Sequence, residues 1–173
     1  DAPGYSFNYI GGDATYVVIP HEVMEMNCLL DYNGDAYFYG SLAEPISCIV
    51  GAFNAQYHRP QGTYVHNMGI AEDSNMAILA GAGPMGLGAI EYAVKIAQPA
   101  FLVVTDIDDD RLQRAEQVLS PAEAKEYGVE LKYVNPSGKE NQEEFLLSLI
   151  DNDGYDDVFV FAPVKPVVEQ ADS

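Results

Sequence analysis

Gly81, Gly83 and Gly86 stand in the spacing G-x-G-x-x-G, as Gly81-Ala82-Gly83-Pro84-Met85-Gly86, and Asp106 follows Gly86 by twenty residues. These residue types at these distances suit the grip of a dinucleotide. A first glycine permits a tight turn after a strand, a second lets the backbone approach a pyrophosphate, and a third lets the following helix pack closely on a sheet. The N–H groups that open such a helix lack intrahelical partners and point at a phosphate charge. A carboxylate about twenty residues further on can accept hydrogen bonds from the adenosine ribose hydroxyls. With 15 glycines in the chain the string alone is weak evidence. Its setting carries the weight, between an apolar run and an amphipathic stretch.

Asp106 also discriminates between cofactors. Its negative charge would face the extra phosphate of NADP without an obvious cationic offset, so NAD is the expected cofactor. The predicted cofactor contacts are therefore Gly81, Gly83, Pro84, Met85, Gly86 and Asp106, together with Arg111. Arg111 approaches the adenine side or pairs with Asp108 on a helix surface. Flavin nucleotides use a similar pyrophosphate turn, and that alternative stays open.

The elements that must position these residues are legible as periodicities. "MAILA" (Met76 to Ala80) is a short, wholly apolar run of the kind a buried parallel strand needs, and "FLVVT" (Phe101 to Thr105) is a second buried strand. "VELKYV" (Val129 to Val134) and "DDVFVFA" (Asp157 to Ala162) supply two more strands. Helices are predicted between them. The first has Met85, Leu87, Ile90, Val94 and Ile96 at approximate helical spacing, and the second has Leu112, Ala115 and Val118 on its inner side. A third carries Phe145, Leu146, Leu149 and Ile150 as its apolar face. Ser120-Pro121 with Glu123 is a capping-box start for a brief extra helix, expected to act as a spacer without chemistry. Asn135 to Gly138 reads as a turn.

Upstream, Ile46, Ile49, Val50 and Phe53 make one stripe of an amphipathic helix with Pro45 in its first turn. Before it the chain reads as irregular, with a short strand candidate at Tyr16 to Ile19 and an Asn33-Gly34 turn. Strand and helix alternate as β-α-β-α-β-α-β, which argues an α/β fold, a Rossmann-type parallel sheet with helices on both faces. Four strands are fewer than the six of a complete dinucleotide fold, so the sheet is expected to be incomplete and the chain truncated.

Bulk properties narrow the function. A chain of 173 residues, 48% hydrophobic, can bury a core, and its 8 Lys+Arg against 27 Asp+Glu give a formal charge of -19. Such a charge repels nucleic acid, so no nucleic-acid partner is expected, although local N–H groups can still hold a phosphorylated ligand. No apolar run is long enough to span a bilayer and no signal-like start is visible, which makes cytoplasmic the default. Cys28, Cys48, His58 and His66 match no compact zinc spacing; Cys48 is expected to be a buried free thiol, and its place four residues after Glu44 leaves a role beside a metal open.

"SLAEPISCIVGAF", "AILAGAGPMGLGAIEYA" and "VVTDIDDDRLQRAEQVL" together resemble the medium-chain, zinc-dependent alcohol and polyol dehydrogenases. Within them the chain is most similar to the sorbitol dehydrogenase-like and L-sorbose 1-phosphate reductase proteins, over roughly residues 11–173. The resemblance implies a two-domain enzyme, with a GroES-like β-barrel catalytic domain joined to a Rossmann cofactor domain. Residues 1–43 would be the tail of the former with its linker, and residues 44–173 the connecting helix and first part of the NAD-binding domain. It further implies hydride transfer between nicotinamide and a polyol or sugar phosphate, with a zinc ion polarising the substrate oxygen. Glu44, in "EPISC", corresponds to the glutamate that approaches the catalytic zinc in sorbitol dehydrogenase-like relatives. From the residues alone it is equally a carboxylate favoured at a helix start. The early cysteine ligand and the Gly-His-Glu segment of the family have no counterpart here, so the segment by itself is expected to hold no catalytic zinc and to be inactive. Relatives of this kind imply a homodimer or homotetramer. Two other readings remain: a non-catalytic nucleotide-binding Rossmann protein, and a zinc-independent quinone reductase-like enzyme.

Overall fold

The four expected strands form one parallel sheet. The computed structural model describes residues 15–150 and 154–172, so the first fourteen residues of the expected catalytic-domain tail lie outside the described residues. The chain divides into two compact units, residues 1–41 and 42–173.

Within the described part of the smaller unit are two short helices, α1 (His21–Glu25) and α2 (Tyr37–Gly40). Tyr16 to Ile19, expected as a strand, has no regular structure. A β-branched run becomes a strand only where a second strand completes its ladder, and none pairs with it among the described residues. Pro20, which has no N–H to give, instead supplies the carbonyl that caps α1, accepting from the Val23 N–H at 3.1 Å.

The larger unit begins with α3 (Ala43–Ala55), whose Ile49 and Phe53 are buried while Ile46 is 43% exposed. A two-residue antiparallel pair follows, β1 (Tyr57–His58) with β2 (Asn67–Met68). Next come β3 (Asn75–Leu79), α4 (Pro84–Tyr92) and a wider π-helical turn over Ala93–Ala97, closed where the Gln98 N–H reaches the Ala93 carbonyl at 2.6 Å. Then follow β4 (Phe101–Thr105), α5 (Asp109–Val118), α6 (Pro121–Glu126), β5 (Glu130–Val134), α7 (Gln142–Leu147), β6 (Asp157–Val160) and α8 (Lys165–Asp172).

The sheet order is β5-β4-β3-β6, with every neighbouring pair parallel. The chain runs outward from β3 through β4 to β5, then crosses back to place β6 on the other side of β3. That reversal puts a topological switch point between β3 and β6. Such a crevice, beyond the carboxyl ends of the strands, is where open α/β sheets bind ligands.

Strand alternation sorts the core into two faces. Met76, Ile78, Leu102, Val104 and Leu131 meet α3, α4 and Ala124 of α6 on one face. Ala77, Leu79, Phe101 and Val103 meet Leu146, Ile150 and α8 on the other. The extra helix α6 therefore covers the sheet. Ser120 caps it by accepting the Glu123 N–H at 3.1 Å, and Pro121 occupies its first turn.

Two predicted stripes shift. In α4 the buried set is Gly86, Ala89 and Ile90, continued by Ala93 and Val94, whereas Met85 and Ile96 are exposed. The π-helical turn widens the last part of the helix, and a regular period cannot anticipate that. In α5 Leu112 and Ala115 are buried as expected, but Val118 is 53% exposed and Leu119 takes the inner place. Leu119 lies outside the helix in extended backbone, which swings its side chain back to the core.

Opposite the strand carboxyl ends, a polar latch joins segments far apart in sequence. Asp157, at the start of β6, accepts the Ala71 N–H at 3.0 Å and lies 2.9 Å from His58 Nε2. The carboxylate side chain is fully buried and the imidazole 32% exposed. A buried acceptor that loses its partner keeps the cost of having left water. His58→Ala is expected to lower stability by about 1–3 kcal/mol, read from the urea midpoint of unfolding. An unmoved midpoint would mean that the Ala71 N–H and solvent already satisfy Asp157.

Candidate nucleotide site

The glycine-rich turn starts one residue earlier than the apolar run suggests. Ala80 leaves β3 in a left-handed conformation, φ 53°, which is unfavourable for a residue with a Cβ. The end of β4 holds it there. Thr105 Oγ1 accepts the Ala80 N–H at 3.2 Å, the Thr105 carbonyl accepts the Gly81 N–H at 2.8 Å, and Asp106 Oδ2 accepts the Ala82 N–H at 3.2 Å. Three successive donors are thus committed to the neighbouring strand. The donors left over begin at Gly83, and Met85 and Gly86 in the first turn of α4 have no intrahelical partner for their N–H groups.

The three glycines play different steric roles. A Cβ on Gly81 would strike the Ile78 side chain, and one on Gly86 would strike the carbonyl of Gly81. Both positions bring backbone against its surroundings. A Cβ on Gly83 would meet nothing within 4 Å. The protein itself does not need that space, so Gly83 fits a ligand that does. Gly83 also sits just before α4, with φ -82° and ψ 175°, and Pro84 opens the helix where a missing N–H costs nothing.

Asp106 lies immediately after β4 and is 6% exposed. Its Oδ2 accepts from Ala82 and its Oδ1 from the Asp108 N–H at 3.1 Å. An ionised carboxylate has about four acceptor positions, so two N–H partners leave it room for ribose hydroxyls. Asp108 caps α5 by accepting the Asp110 and Arg111 N–H groups. Arg111 is exposed, with its Nε 3.5 Å from Asp108 Oδ2, which is the surface pairing foreseen as one of its two readings.

Glu44 is exposed in the first turn of α3. The Cys48 thiol, one turn on, donates to Glu44 Oε1 at 3.2 Å. Cys48 is exposed, not buried as expected, because it lies on the face of α3 away from Ile49 and Phe53. The hydrogen bond to Glu44 holds its thiol pKa above the ordinary value, with smaller contributions from desolvation and the carboxylate charge. A catalytic zinc takes three protein ligands and an open position. Among the described residues no three His, Cys, Asp or Glu side chains converge, so Glu44 and Cys48 alone do not make such a site. His58 is engaged with Asp157, and His66 lies against the Tyr57 ring at 4.4 Å between centroids.

A cavity of about 220 Å³ on the α7–α8 side is lined by Leu79, Leu146, Tyr155 and Val158 among others, but by no residue of the glycine-rich turn. Its walls are the packing surfaces of sheet and helices. The turn and Asp106 gather the convergent polar groups instead. Thr105, the clamp on the turn, escaped sequence reading because it looks like the ordinary end of a strand. Among the described residues no helix is long and apolar enough to cross a membrane.

Comparison with known proteins fits this geometry. The chain is 52% identical over 171 residues to the mannitol-1-phosphate 5-dehydrogenase of Aliivibrio fischeri (strain ATCC 700601 / ES114), covering 98% of this chain and 40% of that protein. It is 47% identical over 174 residues to the L-sorbose 1-phosphate reductase of Klebsiella pneumoniae, covering 100% of this chain and 41% of that protein. The uncharacterized protein YggP of Escherichia coli (strain K12) is 46% identical over 170 residues, covering 98% of this chain and 40% of its own length. Identity at this level along nearly the whole chain establishes homology to polyol-type dehydrogenases and a sugar-phosphate reductase. The chain spans about 40% of the length of these relatives. No protein-family model matches it. Among solved structures, the 2R,3R-butanediol dehydrogenase of Bacillus subtilis superposes with a TM-score of 0.53 at 23% identity, covering 80% of this chain and 33% of that one. A short chain alcohol dehydrogenase from E. coli CFT073, solved with NADH, gives 0.51 at 19% identity, covering 82% and 34%. At these identities the likeness shows the fold, a Rossmann-type parallel sheet with helices on both faces.

Proposed function

We propose that this chain is the NAD-binding part of a dehydrogenase or reductase acting on a polyol or sugar phosphate. The observation that carries the reading is the opening at Gly83. A side chain there would meet nothing within 4 Å, in a turn that leads into the N-terminus of α4 and whose preceding residue, Ala82, is held by Asp106, a carboxylate with acceptor capacity to spare. The homology to a mannitol-1-phosphate 5-dehydrogenase and an L-sorbose 1-phosphate reductase supports the substrate class.

In this reading the pyrophosphate lies across Gly83, Pro84 and Met85, held by the N–H groups of the turn and of the first helical turn. Asp106 accepts from the adenosine ribose hydroxyls, and Arg111 would reach the adenine edge only by leaving its surface pairing with Asp108. Gly81 and Gly86 keep the turn against the sheet, so the donors are already in place before the nucleotide arrives. The nicotinamide ring, once bound, supplies the hydride chemistry. Residues 44–173 are then the connecting helix and the first part of the cofactor domain, and residues 1–43 the tail of a catalytic domain with its linker. Titrating the full-length native protein with NADH by calorimetry tests the reading, and a protein that binds no nicotinamide nucleotide would end it.

Glu44 is assigned in the same proposal to a metal cleft of the full-length protein, since it is a helix-start carboxylate left exposed with a thiol one turn away. Further ligands would have to come from outside the described residues. Glu44→Ala is then expected to lower zinc content or turnover by about tenfold or more, the loss reported for residues that support a metal site, while NADH affinity stays within twofold. Metal analysis and nucleotide titration on the same samples separate the two. Unchanged metal and turnover would return Glu44 to the role of a helix-start carboxylate.

A further inference from the structure

We infer that Asn135 is a positioning residue for nucleotide selectivity, holding the segment that presents Asp106. The inference rests on the proposed NAD site. Asn135 follows β5 and is half-buried. Its Nδ2 donates to the Ile107 carbonyl at 3.1 Å and to Asp109 Oδ1 at 2.7 Å. Its Oδ1 accepts from the Ser137 N–H at 3.0 Å and from the Ser137 hydroxyl at 2.6 Å. The amide orientation is fixed by these partners, since acceptors surround one end and donors the other.

The consequence concerns the segment from Asp106 to Asp109, which joins β4 to α5. Its carboxyl-terminal end is pinned by the helix cap at Asp108, and its start by Asp106 itself, which bonds both Ala82 and Asp108. Ile107 lies between these points, is 78% exposed, and offers its carbonyl to Asn135. One side chain from the next strand thus ties down both the residue after Asp106 and the first carboxylate of α5. Without it the Ile107 carbonyl and the Asp109 carboxylate lose their tie to the end of β5, and only the ends of the segment, at Asp106 and Asp108, stay fixed. A carboxylate held still has its acceptor positions set for two ribose hydroxyls before binding, whereas a mobile one must be ordered by the ligand. A fixed Asp106 carboxylate also opposes a 2′-phosphate more effectively than one able to swing away.

The test uses the full-length native protein, with NADH and NADPH as calorimetric probes. Asn135→Ala is expected to weaken NADH by about tenfold, the effect of one modest polar contact, and to weaken NADPH less, so that the preference for NADH narrows. Asp109→Ala removes one of the two Nδ2 partners on an exposed helix turn that the core does not need, and should shift the ratio in the same direction by a smaller factor. A change in folding alone would scale both affinities together and leave their ratio in place. If wild type prefers NADH while neither variant alters the ratio by more than twofold, Asn135 is only a turn residue and the inference is overturned. If wild type binds neither nucleotide, the proposed function fails first and takes the inference with it.

Discussion

Gly83→Ala is expected to leave the protein folded and to remove most of its nucleotide affinity, while Gly86→Ala unfolds or distorts it. The two substitutions add the same methyl group three residues apart in one turn. At Gly83 that methyl meets nothing within 4 Å, and the backbone, with φ -82° and ψ 175°, is in a region any residue adopts. The melting temperature should therefore hold. The methyl does occupy the space left beside the α4 N-terminus, so a pyrophosphate there is pushed off its N–H donors. Charge-assisted hydrogen bonds of this kind contribute about 1.5–3 kcal/mol each, and losing even one is a tenfold or larger drop in affinity at about 1.4 kcal/mol per decade.

At Gly86 the methyl collides with the Gly81 carbonyl, a backbone atom that no rotamer change can move aside. Overpacking a tight site costs about 1–3 kcal/mol, and a backbone obstacle places the cost at the upper end. Thermal unfolding of both variants with NADH titration checks the pair. A Gly83→Ala protein that binds NADH like wild type would remove the ligand from this turn. A Gly86→Ala protein as stable as wild type would show that α4 can shift off the sheet at little cost.

The contrast also shows where sequence reading reaches its limit. The spacing of Gly81, Gly83 and Gly86 placed the turn between a strand and a helix, because a buried parallel strand announces itself as a short unbroken apolar run. The sequence reading could equally foresee a helix at Ile49 and Phe53. What it could not see were contacts set by sheet register. Thr105 supports Ala80 and Gly81 because β3 and β4 lie side by side, with Ile78 opposite Val104. His58 and Asp157 are 99 residues apart, and nothing local to either predicts the latch. Tyr133 reaches from β5 to the Leu119 carbonyl at 2.9 Å, and its burial pushes the phenol above its ordinary pKa. Val118 and Leu119 changed places because the helix stopped one residue before the core did. Each of these depends on how two elements meet, and periodicity describes one element at a time.

Asp106→Ser is expected to reverse or abolish a preference for NADH over NADPH in the full-length native protein. Two effects add. The serine hydroxyl carries no charge, so repulsion of a 2′-phosphate is lifted. It also cannot accept from two ribose hydroxyls as a carboxylate does, so NADH loses charge-assisted bonds of about 1.5–3 kcal/mol each. Together these should move the NADH:NADPH affinity ratio by at least about tenfold, given 1.4 kcal/mol per decade. Asp106 has a second duty that complicates a single substitution. It is buried and accepts the Ala82 and Asp108 N–H groups, so removing it loosens the turn as well as the ribose site. Asp106→Asn separates the duties in part, because its one amide oxygen can still accept from Ala82 while the Asp108 N–H loses its acceptor and the charge is gone. Loosening of the turn weakens both nucleotides together, through the pyrophosphate they share. Loss of charge changes their ratio. Calorimetric titration of wild type, Asp106→Ser and Asp106→Asn with each nucleotide therefore reads the two duties on different axes. A ratio that stays constant across all three proteins, whatever happens to the absolute affinities, would confine Asp106 to holding the turn and leave cofactor choice to other residues.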